Sequence, residues 1–146
     1  MTAPMEPSTT LPNAASHCMR LGGPESVVAL VQAFYRAMDT RPEAATIRAM
    51  HEPDLAHTQT VLVQYLTEWL GGGRVYSPVH GAPMLRRRHQ RFAVDASARD
   101  AWMACMRAAL DEVCADADLR AELDAAFYKV ADFMRNTESV STDSHP

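Results

Sequence analysis

Apolar residues recur at three- and four-residue steps along most of this chain, and Gly or Pro interrupts the runs. Val27, Leu30, Val31, Phe34 and Met38 give one apolar face to a helix predicted over about 24–38, with Pro24 suited to its first turn. Arg41-Pro42-Glu43 opens a short helix through Met50, and Glu52-Pro53-Asp54 opens a longer one whose face is Leu55, Leu62, Leu66 and Trp69. Gly71, Gly72 and Gly73 end it. Trp102, Cys105, Met106, Ala109 and Val113 mark a long helix over 96–115. Leu119, Leu123, Phe127, Val130 and Met134 mark another over 118–137, expected to pack antiparallel to it. A short helix over 14–20 precedes the Gly22-Gly23 break. No stretch alternates apolar and polar positions for long enough to be a strand, and no internal repeat is present, so the fold class is all-α.

Three segments fall outside these patterns. Residues 1–13 hold three prolines and little apolar periodicity, which reads as a flexible N-terminal tail, and 139–146 read as a flexible C-terminal tail. The domain then spans 14–138. Between Gly71 and Pro83 only Val75, Tyr76 and Val79 are apolar anchors, which predicts an ordered extended loop or a partly frayed helix.

With 146 residues, 47% hydrophobic and 22% charged, the chain suits one domain with a real core and neither a disordered nor a membrane-spanning chain. The net charge of −4 argues against a general nucleic-acid binder. Cys18, Cys105 and Cys114 form no C-x-x-C pair, and no basic segment with an apolar core marks a leader, so a reduced, cytoplasmic setting is expected. Cys105 and Cys114 lie nine residues apart on one predicted helix, roughly 13 Å, too far for a disulfide. Buried apolar filler is the expected role of the cysteines.

The usual metal and nucleotide motifs are absent. There is no H-E-x-x-H, G-x-x-x-x-G-K-[ST] or E-x-x-H pair, so any metal must be held in part by a cofactor. A single imidazole facing an all-α pocket is the arrangement that ligates haem iron, and His89 is the best-placed candidate, although a lone histidine in a helical protein is more often structural.

The context of His89 adds to this. Trp69-Leu70-Gly71-Gly72, then Tyr76-Ser77, then His80-Gly81-Ala82-Pro83-Met84-Leu85-Arg86-Arg87-Arg88-His89-Gln90-Arg91-Phe92, then Arg99-Asp100-Ala101-Trp102-Met103-Ala104-Cys105-Met106 closely resemble the motifs of the group II truncated haemoglobins. In that family they run W-x-G-G-P, Tyr-Ser, H-G-H-P-x-L-R-x-R-H-x-P-F and R-D-x-W-L-x-C-M. Phe34-Tyr35 matches the F-Y near the end of the family's second helix, so the resemblance covers about 18–137.

The resemblance implies a truncated globin-like two-over-two helical sandwich around haem b, with His89 as the axial metal ligand. It places Tyr35 and Trp102 on the distal side, where their donors meet a partly anionic bound ligand. Such charge-assisted bonds contribute ~1.5–3 kcal/mol each and slow ligand release. Without the resemblance, ordinary core packing is the simpler reading of both aromatics. His51 falls where the family carries Tyr, Phe or His, with Thr58 at the position of the distal histidine of ordinary globins and Leu62 and Tyr65 following it. A register shift of one would bring His57 into the pocket instead. Arg86 and Tyr76 match propionate contacts, with Leu85 and Phe92 beside the ligand and Arg88 paired with Arg86. Four departures stand out. Gly73 and Arg91 replace prolines and Ala82 replaces a histidine, which is expected to loosen the proximal loop slightly, and Val61 replaces a basic haem anchor.

The function so implied is binding of dioxygen and other small ligands (carbon monoxide, nitric oxide, peroxide or sulfide), with nitric oxide dioxygenase or peroxidase-like turnover open. The sequence has no flavin or nicotinamide domain, so turnover needs an external electron donor or reductase. Neither nucleic acid nor membrane is expected as a partner, and the chain is expected to be a monomer or weak homodimer. The alternative of a different class is a haem-free helical interaction module.

Overall fold

Pro24 occupies the first turn of a helix that runs from Pro24 to Thr40, and this helix organises the molecule. The computed structural model describes residues 15–137, so the two expected tails lie outside the described residues. The helices are α1 (His17–Leu21), α2 (Pro24–Thr40), α3 (Ala45–Ala49, entered through a 3₁₀ turn at Pro42–Ala44), α4 (Ala56–Trp69), α5 (Ser77–His80), α6 (Leu85–Arg88), α7 (Ala96–Val113) and α8 (Ala117–Phe133). No strand occurs among the described residues.

The helix boundaries differ from the sequence pattern where side chains capture backbone groups. Arg48 donates to the carbonyls of Glu52 and Pro53 at 3.0 and 2.9 Å, which holds that corner out of helix, and α4 starts only at Ala56, where Asp54 accepts from the Ala56 amide. α7 stops at Val113, two residues short of the expected end, because Cys114 turns extended. Asp116 then caps α8 by accepting from the Asp118 and Leu119 amides. α8 ends at Phe133, four residues early, and the chain beyond it turns back.

α2 crosses α7 along most of its length, α4 lies against α2, and α8 lies against α7. Two helix pairs are thus stacked through α2 and α7, the two-over-two arrangement. The core sits at that crossing: Leu30 and Phe34 of α2, Met103 and Met106 of α7, and Leu119 and Leu123 of α8 have almost no exposure. Burial of side chains of this size contributes ~1.5–3 kcal/mol each. The three cysteines are free and buried, and burial pushes the Cys105 thiol up to about 11.

The end of α4 is fixed by a close approach. A Cβ at Gly72 would meet Cys18 Sγ at 2.6 Å and the Thr67 carbonyl at 3.0 Å, so only glycine lets the chain turn there against α1. The Cys18 amide donates to the Leu70 carbonyl at 2.9 Å at the same junction. α4 otherwise has α2 as its close backbone neighbour, and α6 packs closely on no other helix, so side chains alone line the face between α4 and the α6–α8 side of the molecule.

Candidate functional site

That face is lined by aromatic rings. His80 lies 4.6 Å from Tyr76, centroid to centroid, Tyr76 meets Tyr65 edge-on at 5.5 Å, and Tyr65 stacks towards Trp69 at 6.4 Å. Phe127 of α8 joins Trp69 at 5.2 Å to Trp102 at 5.9 Å. Trp102 continues to Phe34 at 5.1 Å, Phe34 to Tyr35 at 4.9 Å, and Tyr35 to His51 at 5.8 Å. The arc therefore runs unbroken from His80 to His51. Leu62, Val63, Tyr65, Trp69, Val94 and Trp102 pack against the core yet stay only partly buried, an apolar surface that a flat apolar group would cover.

At the Tyr35 end, the phenol is 4% exposed and its hydroxyl has no hydrogen-bond partner among the described residues. Burial pushes its pKa above the ordinary phenol range, the charge of Arg48 pulling more weakly the other way. His51 Nδ1 lies 2.8 Å from the Ile47 carbonyl, so it donates there and leaves Nε2 as the free ring nitrogen. His51 and Tyr35 meet edge to face and are not hydrogen-bonded to each other. Trp102 is half-buried with its indole N–H likewise unpartnered. An unsatisfied buried donor costs ~1–3 kcal/mol, so the Tyr35 hydroxyl is a costly orphan among the described residues.

His89 sits just past α6, half-buried, with Nδ1 2.7 Å from the Leu85 carbonyl. A carbonyl only accepts, so Nδ1 carries the proton and Nε2 keeps a free lone pair. This is how a metal-ligating imidazole is oriented. The segment is tied down from a distance. Asn136 Nδ2 donates to the carbonyls of His89 and Phe92 at 3.1 and 3.0 Å, and Asn136 Oδ1 accepts from the Val94 amide at 2.9 Å. The Asn136 amide itself donates to the Val94 carbonyl at 2.9 Å.

The chemistry of the donor set thus fits haem: one oriented imidazole with a free nitrogen, unpartnered buried donors, and a partly exposed apolar wall. The bacterial-like globin family model matches residues 19–136. The chain belongs to the bacterial-like globins. Within them it is a group II truncated globin, a class whose members bind small ligands through haem. It is 36% identical over 98 residues to the group 2 truncated hemoglobin YjbI of Bacillus subtilis (strain 168), covering 67% of this chain and 72% of that one. It is similar to the solved group II two-on-two hemoglobin of Agrobacterium tumefaciens at 39% identity, with a TM-score of 0.82 and coverage of 92% and 100%. A truncated oxygen-avid haemoglobin from Bacillus subtilis matches at 32% identity, with a TM-score of 0.76 and coverage of 84% and 100%.

The remaining expected residues of this globin are placed as follows. Thr58, Leu62 and Tyr65 are partly buried on α4, while His57 is exposed. Tyr76 is buried and Leu85 and Phe92 are partly buried, with Phe92 6.5 Å from His89. The paired arginines behave differently from a simple propionate clamp. Arg86 donates to the carbonyls of Phe133 and Arg135 at 3.0 and 2.8 Å, and Arg88 donates to the Pro83 carbonyl at 2.6 Å. Their charge remains exposed, but both stitch the proximal segment, so the loop that departs from the family's prolines is held by other means.

Three contributors gave no sequence signal. Asn136 holds a segment more than forty residues earlier, and Phe127 read as a core position but joins the two tryptophans. Glu68 accepts from the amides of Tyr76 and Ser77, both at 2.9 Å, and from the Ser77 hydroxyl. These bonds, the Ser77 hydroxyl first, hold the Glu68 carboxyl below its ordinary range.

Proposed function

We propose that this globin holds haem b through His89 Nε2 and binds dioxygen and other small ligands, with release slowed by Tyr35 and Trp102. Haem held by His89 would supply an iron that takes a diatomic ligand. Tyr35 and Trp102 each bring an O–H or N–H that no group among the described residues satisfies, and His51 Nε2, an acceptor while Nδ1 carries the proton, is free to accept from Tyr35 or from a ligand. The apolar arc keeps water from competing for those donors, which strengthens any bond they make. Thr58, Leu62 and Tyr65 line the same side from α4. Tyr76 and Arg86 reach the propionates, Arg86 with the nitrogen not engaged by the α8 carbonyls, and Leu85 and Phe92 flank the imidazole.

The observation that carries this reading is the orientation of His89: Nδ1 bound to the Leu85 carbonyl and Nε2 left without a partner among the described residues. The oxygen-avid relative from Bacillus subtilis supports dioxygen as the ligand. Nitric oxide dioxygenation or peroxidase-like turnover extends the same site and needs electrons from an external donor. We place the protein in the cytoplasm as a monomer or weak homodimer; no helix among the described residues is long and apolar enough to cross a membrane.

The test is the visible spectrum of the purified protein, ferric and then dithionite-reduced, with and without carbon monoxide. An intense Soret band that shifts with carbon monoxide is expected. Absence of the band after haem addition would overturn the reading and favour a haem-free interaction module.

A further inference from the structure

The arginines of this chain divide by place. Among the described residues, the eight outside 69–94 each lie against a carboxylate, from Arg20 on Glu122 to Arg135 on Asp132. The five inside that stretch, Arg74, Arg86, Arg87, Arg88 and Arg91, are all exposed; none forms a salt bridge among the described residues, and only Arg74 has a carboxylate, Glu68, acted on by its charge. The stretch contains no Asp or Glu at all, so the rest of the chain sets nine basic residues against eighteen acidic ones. An acidic protein with many carboxylates thus leaves one cationic pole, and the iron ligand sits in it.

Within the pole, Arg86 and Arg88 are engaged by backbone carbonyls. Arg87 makes no side-chain hydrogen bond among the described residues, and the Arg91 guanidinium lies over the Phe92 ring at 4.8 Å. Arg87 and Arg91 stand two residues either side of His89, within about 7 Å of it along the backbone. Two propionate carboxylates would neutralise only part of five charges. What remains is a compact positive face beside the proximal histidine, backed by a negative body that repels an extended polyanion. The two rings at this face, Phe92 and Phe133, each lie under an arginine, Arg91 at 4.8 Å and Arg86 at 5.7 Å, and offer no open stacking platform for bases.

We infer that the Arg87 and Arg91 face docks a small acidic one-electron carrier protein that reduces the ferric protein. This rests on the haem reading above. One electron leaves the carrier, which is oxidised, and reduces ferric iron to ferrous; no covalent bond forms or breaks and no proton is required. Complementary charge speeds the encounter of such a pair and makes it salt-dependent.

The experiment mixes ferric holoprotein anaerobically with a reduced flavodoxin of net negative charge and follows the Soret band. Titration calorimetry with oxidised flavodoxin reads binding separately. Reduction and binding are expected to weaken at least about tenfold between about 20 and about 200 mM salt. The Arg87→Gln/Arg91→Gln variant is expected to lose about tenfold in bimolecular rate at low salt, with haem content and dithionite reduction unchanged. Arg36→Gln, on the far body, is expected to behave as wild type. A salt-independent rate, or a double variant that docks as wild type does, overturns the proposal while leaving the haem reading intact. Tighter binding to phosphatidylglycerol vesicles or duplex DNA than to flavodoxin overturns it in favour of that partner. A chain without a Soret band overturns both.

Discussion

The side-chain amide of Asn136 donates to the carbonyl of His89, 47 residues earlier, at 3.1 Å. With the bonds to Phe92 and Val94 it makes the turn after α8 a clamp on the segment that carries His89. Asn136→Ala removes three partly buried hydrogen bonds and is expected to destabilise the protein by about 2–4 kcal/mol and to speed haem loss. Asn136→Asp keeps the acceptor for Val94 but turns a carboxylate on two carbonyls, so it is expected not to rescue. Urea unfolding and haem transfer to an acceptor apoprotein read the two effects.

His89→Ala removes the free imidazole nitrogen while leaving the helix boundaries alone. Stoichiometric haem retention is expected to be lost while the far-ultraviolet circular dichroism stays helical. Unchanged haem content would show that the iron is held elsewhere.

Tyr35→Phe separates folding from ligand control by the sign of its two effects. Deleting a buried hydroxyl without a partner is expected to stabilise the haem-free chain by about 1–3 kcal/mol. The same change is expected to speed dioxygen release from the holoprotein at least about tenfold, through loss of one charge-assisted bond. Denaturant titration and stopped-flow ligand displacement are the measurements, and a stable variant with an unchanged release rate would remove Tyr35 from the distal set.

Trp102→Phe is expected to speed dioxygen release at least about tenfold as well. The substituted ring keeps much of the contact with Phe34 and Phe127, which lie 5.1 and 5.9 Å from the indole. A small change in unfolding free energy, about 1 kcal/mol, is therefore expected beside a large kinetic one. An unaltered release rate would mean that the indole N–H does not meet the ligand.

Glu68 makes the loop between α4 and α5 acid-sensitive. Its carboxyl pKa is lowered in the folded protein by the Ser77 hydroxyl and the Ser77 and Tyr76 amides. A lowered folded-state pKa means that the stabilisation is present above the unfolded carboxylate value and is lost as pH falls through the folded one. Hydrogen exchange at the Tyr76 and Ser77 amides, corrected for intrinsic rates, is expected to lose protection on acidification. In Glu68→Gln that pH dependence is expected to vanish, with lower protection at neutral pH.

Much of this molecule was legible in the one-dimensional pattern. The apolar steps of Val27 to Met38 and of Leu119 to Met134 place the faces of α2 and α8 correctly, because a helix buried on one side records that side every three or four residues. Their ends were less legible. α8 stops at Phe133 rather than Thr137 because the Arg135 carbonyl and Asn136 are drawn into bonds with residues 86–94, and α4 starts late because Arg48 takes two carbonyls of the preceding corner. A propensity argument sees only neighbours in sequence, and these captors are not determined by them.

What the sequence by itself determined is the all-α class, the helix faces, and, through the spacing of Gly-Gly, Tyr-Ser, His89 and Trp102, the resemblance to the group II truncated globins. What only the tertiary structure decided is which polar ends are left without partners. The Tyr35 hydroxyl is orphaned among the described residues because its ring neighbours, Phe34 and His51, meet it through ring edges and faces and do not accept its proton. The His89 Nε2 is free because Leu85 occupies Nδ1, and Arg86 and Arg88 are drawn to carbonyls that α8 and the Pro83 turn bring to them. The physical reason is common to all of these. Burial of a face is written into each helix, but the satisfaction of a polar atom depends on what the other helices place within about 3 Å of it.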